Sequence, residues 1–171
     1  MAVTIGVSFL LVIPIEPIYW YLALPAGLMI GYYANARSRR EGGPWLRILA
    51  NGLLAGVATG ITFALLLLAV KALFFAADNG YRDASTGGSL SCTPGADCVY
   101  QRYVELQPDV LAAAGITNAD EFSAFYWNQQ LNTALGLVIA TVVASAAGGV
   151  VFRLTNSTKP ATSVPGGAPA A

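Results

Sequence analysis

Three stretches of this chain run almost without charge: Val3 to Tyr33, Ile48 to Ala77 and Leu131 to Phe152. Each matches or exceeds the roughly 20 residues that, at 1.5 Å of rise per residue, cross about 30 Å of hydrocarbon. A buried helix in a soluble protein of 171 residues is seldom so apolar on every face. With 56% hydrophobic and 11% charged residues, the composition points the same way. The expected object is an all-α integral membrane protein whose first partner is the lipid bilayer. A cleavable signal peptide is the rival reading of the first stretch, and Ala34-Asn35-Ala36 resembles a small-residue cleavage site. Against it, no basic region precedes the apolar stretch, the stretch is too long, and three prolines interrupt it.

Charge outside these stretches sets the orientation. Arg37, Arg39, Arg40 and Arg47 face a single Glu41 in the first connection, and the tail adds Arg153 and Lys159. Between Ala77 and Leu131 the balance reverses: Asp78, Asp83, Asp97, Glu105, Asp109, Asp120 and Glu121 face only Arg82 and Arg102. Lys and Arg in short flanking segments mark the cytoplasmic side. The basic connection (37–47) and both termini are therefore expected in the cytoplasm, in a prokaryotic plasma membrane, with the 77–130 segment outside.

The first stretch contains Pro14-Ile15-Glu16-Pro17. Glu16 lies 21 positions before Arg37, about 31 Å of helix, which places it at the outer interface rather than at mid-membrane. The preceding apolar residues must then turn back or project into water, where each large side chain costs roughly 1.5–3 kcal/mol. Two prolines favour a bend there. A helical hairpin over residues 1–36 follows, and with spans at 48–76 and 131–154 it makes a four-helix transmembrane bundle with an extracytoplasmic loop segment. The short first limb, about 21 Å from Met1 to Pro14, has a second possible arrangement, lying flat in the outer leaflet. Tyr19, Trp20, Tyr21 and Trp45 are placed at the water boundary, where amphipathic rings gather. Lys71 is expected to snorkel to the outer headgroups.

Small residues recur every four positions. One row is Gly52, Gly56, Gly60 and Ala64; another is Gly136, Ala140, Ala144 and Gly148; a shorter one is Ala23, Gly27 and Gly31. Such rows let backbones approach closely where hydrophobic attraction between helices has vanished into lipid. The first two rows lie at the same offsets from Arg47 and Arg153, namely 5, 9, 13 and 17. They are expected to meet face to face, with the third joining the seam. Asn51 and Asn132 are expected as interfacial or helix-bonding groups, and Thr59 and Thr62 to bond their own backbone.

In the 77–130 segment, Cys92 and Cys98 flank a Pro94-Gly95 turn. On an oxidising face a local disulfide is the natural reading. Two thiols without histidine leave a metal shell unfilled, and the redox spacing C-x-x-C is absent. The preceding Asn79–Ser91 stretch reads as loop. Pro108, Asp109 and Gly115 frame a short helix. Asn118 with Glu121 resembles a capping box that opens a helix continuing into the last span, with Phe122, Phe125, Tyr126 and Trp127 as an aromatic belt. Residues 155–171, rich in Pro, Ala, Ser and Gly, read as a disordered cytoplasmic tail.

The chain has no histidine, hence no such proton shuttle or ligand, and no phosphate-binding loop, dinucleotide fingerprint or nucleophile motif. The expectation is a non-enzyme without cofactor, metal or nucleic-acid partner: a structural, assembly or accessory component of a membrane complex that presents its outer loop to a membrane-protein partner. The alternative is a homo-oligomeric small transporter or channel subunit, although polar groups at depth are few.

Overall fold

The structure is a computed structural model and describes residues 16–38, 43–82, 84 and 87–156. Among these the chain is all-helical, with α1 (Glu16–Arg37), α2 (Trp45–Ala77), α3 (Ala96–Leu106), α4 (Pro108–Ala114) and α5 (Ala119–Asn156). The first limb of the expected hairpin, the Arg39–Arg40–Glu41 part of the basic turn and the tail beyond Asn156 lie outside the described residues.

Local chemistry explains the helix boundaries. Pro17 sits in the first turn of α1, where its missing N–H leaves no bond unmade, and Arg37 sits in the last turn, facing the negative end of the dipole. Ser38 closes α1 by donating its hydroxyl to the Ala34 carbonyl at 2.8 Å. α2 starts behind an extended Pro44 and runs 33 residues; α5 runs 38. α4 has Pro108 at its start and stops at Gly115, whose φ of 69° is left-handed and suits glycine. At the start of α5, the Asn118 side chain accepts the Glu121 N–H at 2.9 Å. The Glu121 carboxylate accepts from the Thr117 N–H at 3.1 Å, one residue further back than a standard capping box places it.

Two helices, α2 and α5, are long and apolar enough to cross a membrane. α5 is the central one. It packs along both α1 and α2, which touch each other less. Gly27 and Gly31 of α1 face Thr141 and Ser145 in the same order, so α1 runs parallel to α5; Gly52 and Gly60 of α2 face Ser145 and Val138 in the reverse order, so α2 is antiparallel. One end of the bundle carries Arg37, Arg47 and Arg153 and is the basic end; the other carries α3 and α4 as a cap. A row of exposed large apolar residues covers the outside of all three long helices, including Leu24, Leu28, Leu54, Ile61, Leu65, Leu135, Ile139 and Val143.

The cap has its own core. Val99, Tyr103, Leu111, Phe122 and Tyr126 are buried together, with Phe74, Phe75 and Trp127 packed against them. Phe122 and Tyr126 are fully buried, so the expected aromatic belt is corrected at these two positions: the rings seat α3 and α4 on the end of α5. Ring pairs such as Phe75 on Tyr126, 4.8 Å between centroids and stacked, and Tyr103 with Phe122, also 4.8 Å, account for the packing.

Candidate functional site

Four features stand out: the glycine seams, a polar knot at the basic end, the tied cap and an apolar groove. The seams differ from the expected pairing. Gly52, Gly56, Gly60 and Ala64 form a buried row on α2. The nearest atoms to its three glycines belong to Val138, Thr141, Val142, Ser145 and Ala146, not to the row of Gly136, Ala140, Ala144 and Gly148. Gly148 and Ala144 turn instead toward α1: a Cβ on Gly148 would fall on the Leu28 carbonyl oxygen, and one on Gly27 would meet Ala144 Cβ and the Thr141 oxygen at 2.8 Å. Gly136 also faces α1, but more loosely: a Cβ there would touch only the Trp20 ring, at 3.6 Å. The reason is geometric. A helix flanked on two sides offers two faces, and α5 gives its smoothest row to α1 while α2 supplies its own glycines against larger residues.

Ser145 joins the two seams. Its hydroxyl donates to the Gly52 carbonyl at 2.7 Å, and its own carbonyl lies beneath the space where Gly31 lacks a side chain. Thr141, also fully buried, donates to the Leu137 carbonyl at 2.8 Å. Thr62 likewise bonds the Ala58 carbonyl.

The polar knot lies between α1 and α2. Asn35, fully buried, donates to the Gly31 and Ile48 carbonyls at 2.9 and 3.2 Å. Asn51 donates to the Ala34 carbonyl at 2.8 Å and reaches Ser38 Oγ at 3.2 Å. Nearby, the Arg153 guanidinium sits 5.9 Å from the centroid of the Trp45 ring, a cation–π contact. Asn132, in contrast, is exposed, and its amide donates to Asn128 Oδ1 at 3.4 Å.

At the cap, Cys92 and Cys98 are joined in a disulfide with Cα atoms 5.1 Å apart. α3 begins inside this loop and was not legible as a helix. Its Arg102 meets Asp78, just past α2, through Nε to Oδ2 at 2.7 Å and Nη2 to Oδ1 at 2.9 Å, and both side chains are about fully buried, at 2% and 1% exposure. Arg102 also donates to the Tyr81 carbonyl at 3.0 Å. A second pair, Arg82 with Glu105, ties the loop to the same helix. Gly80, with φ of 72°, packs its α-carbon so closely on Cys92 Sγ that a Cβ would stand 2.6 Å from it. Asp78 is thus a structural anchor. It does not gather with Asp120 and Glu121, and no cluster of potential metal ligands exists among the described residues. At Glu121 the Thr117 backbone N–H, aided by the Asn118 and Thr117 side chains, holds the carboxyl below its usual range.

Lys71 is 6% exposed, a correction to the snorkelling expected of it: it continues the buried row of α2 beyond Ala64 and Leu67, and protein rather than a headgroup layer surrounds it. The Tyr126 hydroxyl is the one buried side-chain polar atom without a hydrogen-bond partner among the described residues.

A groove lies between α1 and α2 on the cap side of the Asn35 and Asn51 bonds, with a cavity of about 470 Å³. Buried Ala23, Leu67 and Leu137 form its floor, and exposed Leu22 and Leu66 its rims. Its lining is almost wholly apolar, so it has no chemistry to offer a polar substrate. No family model, curated protein or solved structure matches this chain.

Proposed function

We propose that this chain is a small multi-pass membrane protein that works as a structural, assembly or accessory component of a membrane complex, presenting its cap to a partner on the extracytoplasmic side. In this reading α1, α2 and α5, with the apolar segment before Glu16, form a four-span bundle in a prokaryotic plasma membrane. The basic end and both termini lie in the cytoplasm. The exposed apolar row around the long helices supports the bilayer as solvent, because so much oily surface is unfavourable in water.

The observation that carries the partner reading is the construction of the cap. A disulfide, a buried ion pair, a second ion pair and an aromatic core fix a segment of about fifty residues in which no cluster of potential metal ligands occurs among the described residues. Tyr81, Val104, Leu106 and Val110 nonetheless remain exposed on it. Rigid presentation of apolar side chains suits recognition of another protein, because little entropy is lost on docking. The transporter or channel reading draws less support. Of the polar groups buried on the long helices, Lys71 and Gln130 lie toward the cap, and Asn35, Thr141 and Ser145, nearer the basic end, spend their hydrogen bonds on neighbouring carbonyls.

The test is mild solubilisation followed by native electrophoresis of the tagged chain and of a Val104→Asp/Leu106→Asp variant. A defined hetero-complex that the variant loses, with its thermal stability kept, is expected. A pure homo-oligomer stabilised by a small solute and indifferent to the cap substitutions would refute the proposal.

A further inference from the structure

We infer that the basic end holds the phosphate of an anionic phospholipid between Arg37 and Arg47, at the junction of α1 and α2; this rests on the membrane reading above. The fold gathers the two arginines. Asn51 donates across the junction to the Ala34 carbonyl at 2.8 Å. Arg47 lies four positions before Asn51, and Arg37 three positions after Ala34, spacings that keep each arginine near the face of its bonded neighbour and one turn closer to the helix end. The bond therefore sets two exposed, arginine-bearing turns side by side.

Neither guanidinium is spent within the protein. Arg37 and Arg47 make no hydrogen bond or ion pair with another described residue, whereas both arginines of the cap are paired, Arg102 with Asp78 and Arg82 with Glu105. The described carboxylates all lie toward the cap, and the first turn of α2 holds none. An anion for this end must come from outside the fold, and a planar guanidinium fork matches the oxygens of a phosphate.

The surface beneath the arginines points to a lipid rather than a free anion. Leu54 lies seven positions beyond Arg47, and Tyr33 four before Arg37, near the same faces and deeper in the bundle. Both are exposed. A cationic fork with an apolar strip below it fits a headgroup and its acyl chain in one molecule, and anionic headgroups attract basic groups at the cytoplasmic surface. Arg153 shares this end but not the junction. Its guanidinium lies 5.9 Å from the centroid of the Trp45 ring, and Trp45, two positions before Arg47, faces nearly the opposite side of α2.

Native mass spectrometry of the full chain in neutral detergent, with phosphatidylglycerol and phosphatidylcholine of the same acyl chains supplied in equal amounts, tests the seat. Preferential retention of phosphatidylglycerol is expected. Arg37→Gln/Arg47→Gln should cut the preference about 30-fold, roughly fivefold for each guanidinium near an anionic headgroup, and Arg153→Gln should leave it within about twofold. An equal loss from Arg153→Gln would reveal a diffuse basic field and overturn the inference, as would equal retention of the two lipids or displacement of phosphatidylglycerol by the same concentration of soluble glycerol phosphate. A phosphatidylglycerol with a photoreactive headgroup repeats the test on the unaltered chain: adducts on the peptides holding Tyr33 to Arg37 or Arg47 to Leu54 are expected, and adducts confined to the neighbourhood of Arg153 would overturn it. Alkaline carbonate washing of native membranes separates the two levels. Release of the chain into the wash would remove the membrane reading itself, whereas a chain that stays in the membrane yet retains both lipids equally would remove only the seat.

Discussion

Substituting Gly31 by alanine should open the seam between α1 and α5, and the effect can be worked from the contacts. A methyl group there would fall on the Ser145 carbonyl oxygen, with the carbonyl carbon and Cα of Ser145 at 2.6 and 2.8 Å. These are backbone atoms of a central helix and cannot rotate aside. Carbon atoms prefer separations of about 3.5–4.0 Å, so α1 must withdraw by about 1 Å. A gap of that size forfeits a quarter to a half of each dispersion contact worth about 0.1–0.2 kcal/mol, and over roughly thirty atom pairs the loss is about 1–3 kcal/mol, the range typical of overpacking. The better helix propensity of alanine offsets at most about 1 kcal/mol. Gly136→Ala is the matched control, since its Cβ would meet only the Trp20 ring at ordinary contact distance; it should hold stability or raise it by up to about 1 kcal/mol. Unfolding by SDS in mixed micelles, followed by tryptophan fluorescence, should show an early midpoint for Gly31→Ala and an unchanged or later one for Gly136→Ala. Equal midpoints, or the reverse order, would show that the small-residue spacing reflects composition rather than contact.

The cap yields three further expectations. Asp78→Ala leaves Arg102 buried without its carboxylate and should destabilise by about 3–5 kcal/mol, whereas a double replacement by apolar residues should cost less; a double-mutant cycle by thermal unfolding checks this, and additivity would sink it. Tyr126→Phe removes a buried hydroxyl that has no partner and should be neutral or stabilising by about 1 kcal/mol; a loss of more than that would reveal an interaction the hydroxyl makes outside the described groups. Glu121 titrates below the usual carboxylate range, so its contribution is fully present above the unfolded value near 4.3 and disappears as pH falls through the lower folded value. Amide chemical shifts of Thr117 and Glu121 should therefore stay constant from neutral pH down to about 4 and move only below it; a transition near pH 6 would contradict the cap geometry.

Much of the helical frame was legible because hydropathy and end signals act locally. The two helices long and apolar enough to cross a membrane follow from runs of apolar residues, and α4 follows from Pro108 and Gly115, whose backbone constraints need no tertiary partner. What escaped the sequence is what depends on neighbours across the fold. The rows of small residues announced close packing, but which rows meet is set by α5 having two flanks, a fact of assembly rather than of spacing. Lys71 looked like an interfacial lysine by depth alone, and only the continuation of the α2 row shows that it lies buried. Phe122 and Tyr126 have the composition of a membrane belt, and nothing local distinguishes that from a cap core; the distinction comes from Val99, Tyr103 and Leu111 arriving from a separate segment. Likewise Asp78 and Arg102 stand 24 positions apart, and no pattern at that range links a loop carboxylate to a helix guanidinium. The disulfide was readable because its two cysteines are close in sequence, yet its structural weight comes from the ion pair beside it: the covalent loop fixes where α3 begins, and Asp78 fixes which face of α3 turns inward. A cap so doubly tied gains little from further rigidity for its own stability, and this is the physical ground for reading it as a surface meant for a partner.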